Sequence, residues 1–128
     1  MSDPRPPVSD AELEVLKVLW AGGPATVRDV EAQLRRRKRR LAYNTVLTLL
    51  SRLRDKGYIA TDRSGTAHVF RPSVTREELL THGLARLAAR IGDGTASPLV
   101  HALVKGQRFS PKEIAHFRRL LDELEGKG

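Results

Sequence analysis

Helix-start signals punctuate this chain and constrain its fold more than any other feature. Ser9-Asp10-Ala11-Glu12, Thr75-Arg76-Glu77-Glu78 and Ser110-Pro111-Lys112-Glu113 each set a hydroxyl residue three positions before a glutamate. That spacing forms a capping box, in which the hydroxyl and the carboxylate each accept from the other residue's backbone amide. Thr26 is a fourth start, with Asp29 favourable beside the positive end of the helix dipole. After each start apolar residues recur at helical spacing. The sets are Leu13, Leu16, Leu19 and Trp20; Val27, Val30 and Leu34; Leu80, Leu84, Leu87 and Ile91; and Ile114, Phe117, Leu121 and Leu124. Val8 with Leu13, and Phe109 with Ile114, are placed as hydrophobic staples. Gly22-Gly23-Pro24 and Gly92-Asp93-Gly94 act as stops.

Two further helices are read from pattern. Over residues 42–56, Val46, Leu49, Leu50 and Leu53 share an arc of about 100°. Asn44, Thr45, Thr48, Ser51, Arg52 and Asp55 share an opposite arc of about 120°, and Leu47 sits on the border. Gly57 is suited to end this helix in a left-handed conformation. Over residues 98–105 a short apolar helix contains Leu99, Val100, Ala102, Leu103 and Val104, with Ser97 as its cap and Pro98 at its first position. The 42–56 helix is followed by two β-prone runs, Tyr58–Asp62 and Ala67–Arg71, about a polar tip, Arg63-Ser64-Gly65-Thr66, and Pro72 closes the hairpin.

The expected fold is therefore mainly α with a small β-hairpin. A proline-rich lead, residues 1–8, is expected to be disordered. Residues 9–73 have the order of a winged helix-turn-helix, and residues 74–128 form a helical region of three helices. That second region is too small to bury its own apolar stripes. A second copy of the chain is the simplest partner, since the spacing suits helix–helix association. The dimerisation set is Leu80, Leu84, Leu87, Leu99, Leu103, Ile114, Phe117 and Leu121.

Charge narrows the partner. The chain has 23 Lys and Arg against 15 Asp and Glu, a net +8. Residues 34–56 hold nine of those cations and one acid, Asp55, so this stretch alone carries the excess. Six of the nine are consecutive, Arg35–Arg40, and their mutual repulsion is expected to fray the second helix into a loop. A localised positive field points to a polyanion.

Several classes are excluded. There is no Cys, so no disulfide, zinc finger, iron–sulfur site or thiol nucleophile is available. No apolar run is long enough to span a membrane, and the N-terminus lacks the apolar region of a secretory signal. The basic run lacks interleaved aromatic or leucine residues that would insert into a membrane surface. His68, His82, His101 and His116 do not form a metal-ligand or general-base pattern, so neither an enzyme nor a metal or other cofactor is expected. Trp20, Phe117 and Phe70 are read as core, which leaves few aromatics for stacking single-stranded bases.

The 42–56 helix has what major-groove reading needs. It combines short polar side chains near its N-terminal half with cations around it for phosphates. Asn44 suits adenine, Thr45 and Thr48 allow close approach, and Leu47 suits a thymine methyl. Arg52 reaches guanine or phosphate. Arg63 sits at the wing tip, while Arg39 and Arg40 supply salt-dependent attraction. The expected partner is double-stranded DNA. The alternative is a non-specific nucleic-acid binder, a nucleoid or RNA-associated protein, supported by the arginine run alone.

The segments Ala42-Tyr43-Asn44-Thr45-Val46-Leu47-Thr48-Leu49-Leu50-Ser51-Arg52-Leu53 and Lys56-Gly57-Tyr58-Ile59 resemble the recognition-helix signature of the penicillinase repressor (BlaI/MecI) family. Residues 12–20 of the first helix and the wing pattern Ala67-His68-Val69-Phe70-Arg71-Pro72 also fit. The resemblance runs from about Ser9 to Leu124. It implies a bacterial, cytoplasmic, homodimeric repressor. Its winged helices each bind half of a palindromic operator, and its three C-terminal helices interlock with those of the partner. It also implies that Asn44, Thr45, Leu47, Thr48 and Arg52 face DNA, with Leu47 standing where relatives can carry a cation. The family's Asn-Phe cleavage bond falls at Ala102-Leu103, where that dipeptide is absent. The cysteine pairs of copper-responsive members are absent too. The inducing signal, whether protease or ligand, is left open.

Overall fold

Ser9 is extended, and its hydroxyl accepts from the Glu12 amide at 3.2 Å while the Glu12 carboxylate accepts from the Ser9 amide at 2.9 Å. This box opens α1 (Asp10–Gly22) in the computed structural model, which describes residues 5–63, 65–92 and 95–127. Thr26 and Asp29 make the same reciprocal pair and open α2 (Val27–Arg36), a fuller cap than a dipole contact alone. Then follow α3 (Tyr43–Lys56), β1 (Ile59–Asp62), β2 (Val69–Pro72), α4 (Arg76–Ile91), α5 (Ser97–Gly106) and α6 (Pro111–Asp122), which a π-type turn, Glu123–Lys127, prolongs.

The arginine run does not simply fray. Arg35 and Arg36 stay helical. The chain then closes with Lys38 N–H bonding to the Arg35 carbonyl and Arg39 N–H to the Leu34 carbonyl, at 3.0 and 2.9 Å. Paired bonds of this kind place one residue in the left-handed region, usually glycine. Here that residue is Lys38, with φ 63°. Arg39 and Arg40 lie in the loop beyond. The end of α3 repeats the closure with a glycine: Gly57 has φ 91°, and Tyr58 N–H reaches the Leu53 carbonyl at 2.9 Å.

The hairpin strands are antiparallel, pairing Ile59 with Pro72 and Asp62 with Val69. The second strand thus starts later than the sequence suggests, and Pro72 belongs to it instead of lying past it. Ala25 exchanges two backbone bonds with Phe70, at 2.9 and 2.8 Å, which ties the hairpin to the residues just before α2.

Chain contacts divide the molecule into two compact units, Met1–Gly83 and Leu84–Gly128. The core of the first is fully buried Val15, Leu16, Val18, Leu19, Val30, Leu34, Val46, Leu50 and Leu53, with Tyr58, Ile59 and Phe70 closing it. Trp20 lies half-buried at its margin and donates to the Val74 carbonyl at 2.9 Å. Thr75 and Glu78 form their capping box at the start of α4.

The lead is described in part. Residues 1–4 lie outside the described residues, but residues 5–8 are held. Arg5 donates to the Gly57 carbonyl at 3.2 Å and lies over the Tyr58 ring. The Tyr58 hydroxyl donates to the Pro6 carbonyl, and Lys56 Nζ donates to that of Pro7 at 2.9 Å. Val8 packs against the core. The buried polar tip of Tyr58 needs an acceptor, and the lead supplies it.

In the second unit, α6 opens with the Ser110–Glu113 box. The cap of α5 is Ala96, not Ser97. Ala96 already has helical φ and ψ, so Ser97 falls inside the first turn and makes no cap bond. Only Ala88 of this unit is buried among the described residues. Phe117 is 37% exposed, set edge-on to Phe109 at 5.1 Å, so it is not core as the sequence suggested.

Candidate nucleic-acid interface

The inner face of α3 is anchored by buried Val46, Leu49, Leu50 and Leu53. This fixes the rotation of the helix and turns Asn44, Thr45, Thr48 and Arg52 together to the surface, where all four are exposed. The Thr48 hydroxyl donates to the Asn44 carbonyl one turn earlier, at 2.9 Å. The cap residue Ala42 makes no side-chain bond, so no side chain caps the first turn of α3.

Leu47 stands apart from that set. It is 38% exposed and lines a groove with Arg28, Tyr43, Thr66, His68 and Phe70. This groove runs where the first turns of α2 and α3 meet the loop that leads into β2 and the first half of that strand. Arg28 lies over the Tyr43 ring, 5.1 Å from its centroid. Neither residue stood out in the sequence. The only available signal was an aromatic opening one helix and a cation in the first turn of the helix before it.

The cations are arranged in two ways. Arg39 and Arg40 are exposed in the α2–α3 loop, and Arg63 is exposed just after β1. Arg35 pairs loosely with Glu31 one turn earlier at 3.9 Å, and Arg54 meets Asp55 at 3.5 Å. Lys56 faces inward. Its Nζ lies 2.6 Å from Glu12 Oε1, and Glu12 is 1% exposed. Burial pushes the Glu12 carboxyl up, but the Lys56 ammonium and the Ser9 amide and hydroxyl outweigh it, so its pKa falls below the ordinary value. One of the nine cations counted in residues 34–56 is therefore internally compensated and adds little to the outer field.

The apolar residues expected at a dimer contact are on the surface. Leu80, Leu84, Leu87, Leu103, Ile114, Phe117 and Leu121 are exposed, and Leu99 is half-buried. Among the described residues no helix is long and apolar enough to cross a membrane, and no group of three or more His, Asp or Glu could hold a metal ion.

Comparison with known proteins fits this geometry. The model of the family described as penicillinase repressor matches residues 8–123. The penicillinase repressor of Bacillus licheniformis is 27% identical over 122 residues, covering 95% of this chain and 94% of the relative. The transcriptional regulator BlaI of Mycobacterium tuberculosis is 36% identical over 121 residues, covering 92% and 85%. The solution structure of Bacillus licheniformis BlaI, a monomeric form in complex with the blaP half-operator, superposes with a TM-score of 0.51 and 31% identity. It covers 61% of this chain and 93% of that structure. A MarR family protein from Bacillus stearothermophilus, 22% identical with a TM-score of 0.50, shares the fold over 94% of this chain and 74% of its own length. The chain belongs to the penicillinase repressor family of winged-helix, DNA-binding transcriptional regulators.

Proposed function

We propose that the protein is a homodimeric repressor that reads a palindromic operator, one half-site per winged helix. The observation that carries this reading is the outer face of α3. A buried apolar face locks the helix, and what it turns outward is short, polar and nearly uncharged: Asn44, Thr45 and Thr48, with Arg52 beyond. Major-groove readers need this, because base edges are distinguished by hydrogen bonds and methyl contacts at short range. Leu47 borders the set and serves a thymine methyl. Arg39, Arg40 and Arg63 lie around it as phosphate contacts, which set register and affinity without choosing sequence.

The dimer is supported by the second unit. Ile91 is 77% and Leu124 82% exposed, and apolar residues of α4, α5 and α6 are largely uncovered. So many exposed large apolar residues on one small unit point to an association site. A second copy covers it and sets two recognition helices on one duplex, as operator symmetry requires.

The test is a binding titration with duplex DNA from upstream of the protein's own gene and with a scrambled duplex of equal composition. The expected result is tight, steeply salt-dependent binding of two protomers to the first and much weaker binding to the second. Equal affinity at physiological salt would instead establish a non-specific nucleic-acid binder driven by the Arg35–Arg40 run.

A further inference from the structure

The groove between the starts of α2 and α3 and the hairpin loop leading into β2 holds a cation that the proposed operator reading does not use. We infer that Arg28 is a DNA phosphate contact and that Tyr43 is the residue that positions it. This rests on the reading of the protein as a duplex-DNA binder.

Arg28 is exposed on the first turn of α2. Among the described residues it forms no ion pair. The nearest acid in sequence, Asp29, is held in the capping box by the Thr26 amide at 3.1 Å. An arginine on a helix can pair with a carboxylate three or four residues away, and Glu31 offers one here. Glu31 instead lies 3.9 Å from Arg35, and Arg28 lies on the Tyr43 ring. A cation on an aromatic face keeps its charge and most of its donors, because the ring attracts it electrostatically without accepting its N–H bonds. The side chain is thus held in one place but left able to bind an anion.

The place matters. Tyr43 opens α3 and directly precedes Asn44, and it shares the groove with Leu47 one turn on. The groove therefore flanks the face that carries the base-reading residues. A duplex seated on that face brings one strand past the open side of the groove. Thr66 and His68 of the hairpin form its far wall. Arg39 and Arg40 precede α3 in its loop, while Arg28 reaches the interface from a different element. A separate anchor of this kind fixes the angle at which α3 sits, which contacts from the loop alone leave free. A guanidinium also matches phosphate geometry with paired donors, unlike an ammonium.

The experiment is fluorescence anisotropy of the full chain with specific and scrambled duplexes across a salt series, with a circular dichroism melt to check folding. Arg28→Ala is expected to weaken both duplexes alike, on the order of fivefold per protomer at physiological salt, and to lower the salt slope by about one per protomer. Tyr43→Phe is expected to match wild type, since the ring is kept. Tyr43→Leu is expected to weaken binding in the wild-type background and to add nothing in the Arg28→Ala background. An unchanged salt slope in Arg28→Ala overturns the contact. An equal Tyr43→Leu effect in both backgrounds overturns the positioning role. Wild-type protein that binds neither duplex overturns the DNA reading as well, whereas normal wild-type binding with a silent Arg28→Ala overturns this inference alone.

Discussion

Lys56 Nζ lies 2.6 Å from Oε1 of Glu12, a carboxylate almost wholly out of solvent that also closes the cap of α1. The two residues join the start of α1 to the end of α3, 44 positions later in sequence. Lys56 also holds the carbonyl of Pro7. Breaking a buried pair from one side leaves the other charge uncompensated. Lys56→Met is therefore expected to destabilise the fold by about 2–3 kcal/mol, less than for a fully buried pair because Lys56 remains partly exposed. Glu12→Gln in the same chain should restore part of the loss. Urea denaturation of the two variants and wild type measures both effects.

The same carboxylate shapes the response to acid. Its pKa in the folded chain is lowered. Its contribution to stability is therefore complete above the unfolded value, about 4.3, and is lost as pH falls through the folded value. Wild-type melting temperature is expected to fall in that window. Glu12→Gln should be less stable at neutral pH and show a flatter acid limb. Parallel acid limbs in the two proteins would show that Glu12 is not the linked group.

Lys38 occupies a left-handed position that glycine takes more easily. Lys38→Gly is expected to raise stability by about 0.5–1 kcal/mol, since the strain at a side chain with positive φ exceeds glycine's extra unfolded freedom. Thermal melts at two salt concentrations separate this gain from the relief of charge repulsion, which salt screens.

Arg52 tests the reading face. If it meets guanine, Arg52→Ala should cost about 1–3 kcal/mol on the specific duplex only. If it meets phosphate, affinity should fall on every duplex and the salt slope should drop by about one. Unchanged affinity and slope would remove Arg52 from the interface.

Leu121 tests the dimer. A charge in an apolar contact is costly to desolvate. Leu121→Glu is therefore expected to yield monomers in sedimentation while the melt of the winged helix persists. Operator affinity should fall steeply, because two linked half-site contacts become independent.

What the sequence made legible follows from the range of the forces involved. The capping boxes at Ser9, Thr75 and Ser110 stand as expected because each is settled within four residues. The faces of α3 were readable because periodicity alone separates Val46 and Leu50 from Asn44 and Thr48. Ser97 misled because the preceding Ala96 is already helical, which no residue-type preference reveals. Lys38 gave no warning, since a lysine in a left-handed position is dictated by the path of the loop. The docking of Arg5–Pro7 on Tyr58 and Lys56 spans 49 to 52 residues, and the Glu12–Lys56 pair spans 44. Arg28 and Tyr43 meet only once α2 and α3 are packed. For the candidate interface, the outward set was visible early, and the groove beside it required the tertiary fold.

The bond from the Thr48 hydroxyl to the Asn44 carbonyl decides what Thr48 has left to offer. Its single proton is occupied within the helix, so outward it presents lone pairs and a methyl group. In a major groove that favours the exocyclic amino group of cytosine or adenine, or the thymine methyl, and disfavours the two acceptors of guanine. A residue that looks chemically neutral in the sequence thus has a polarity imposed on it by its own backbone.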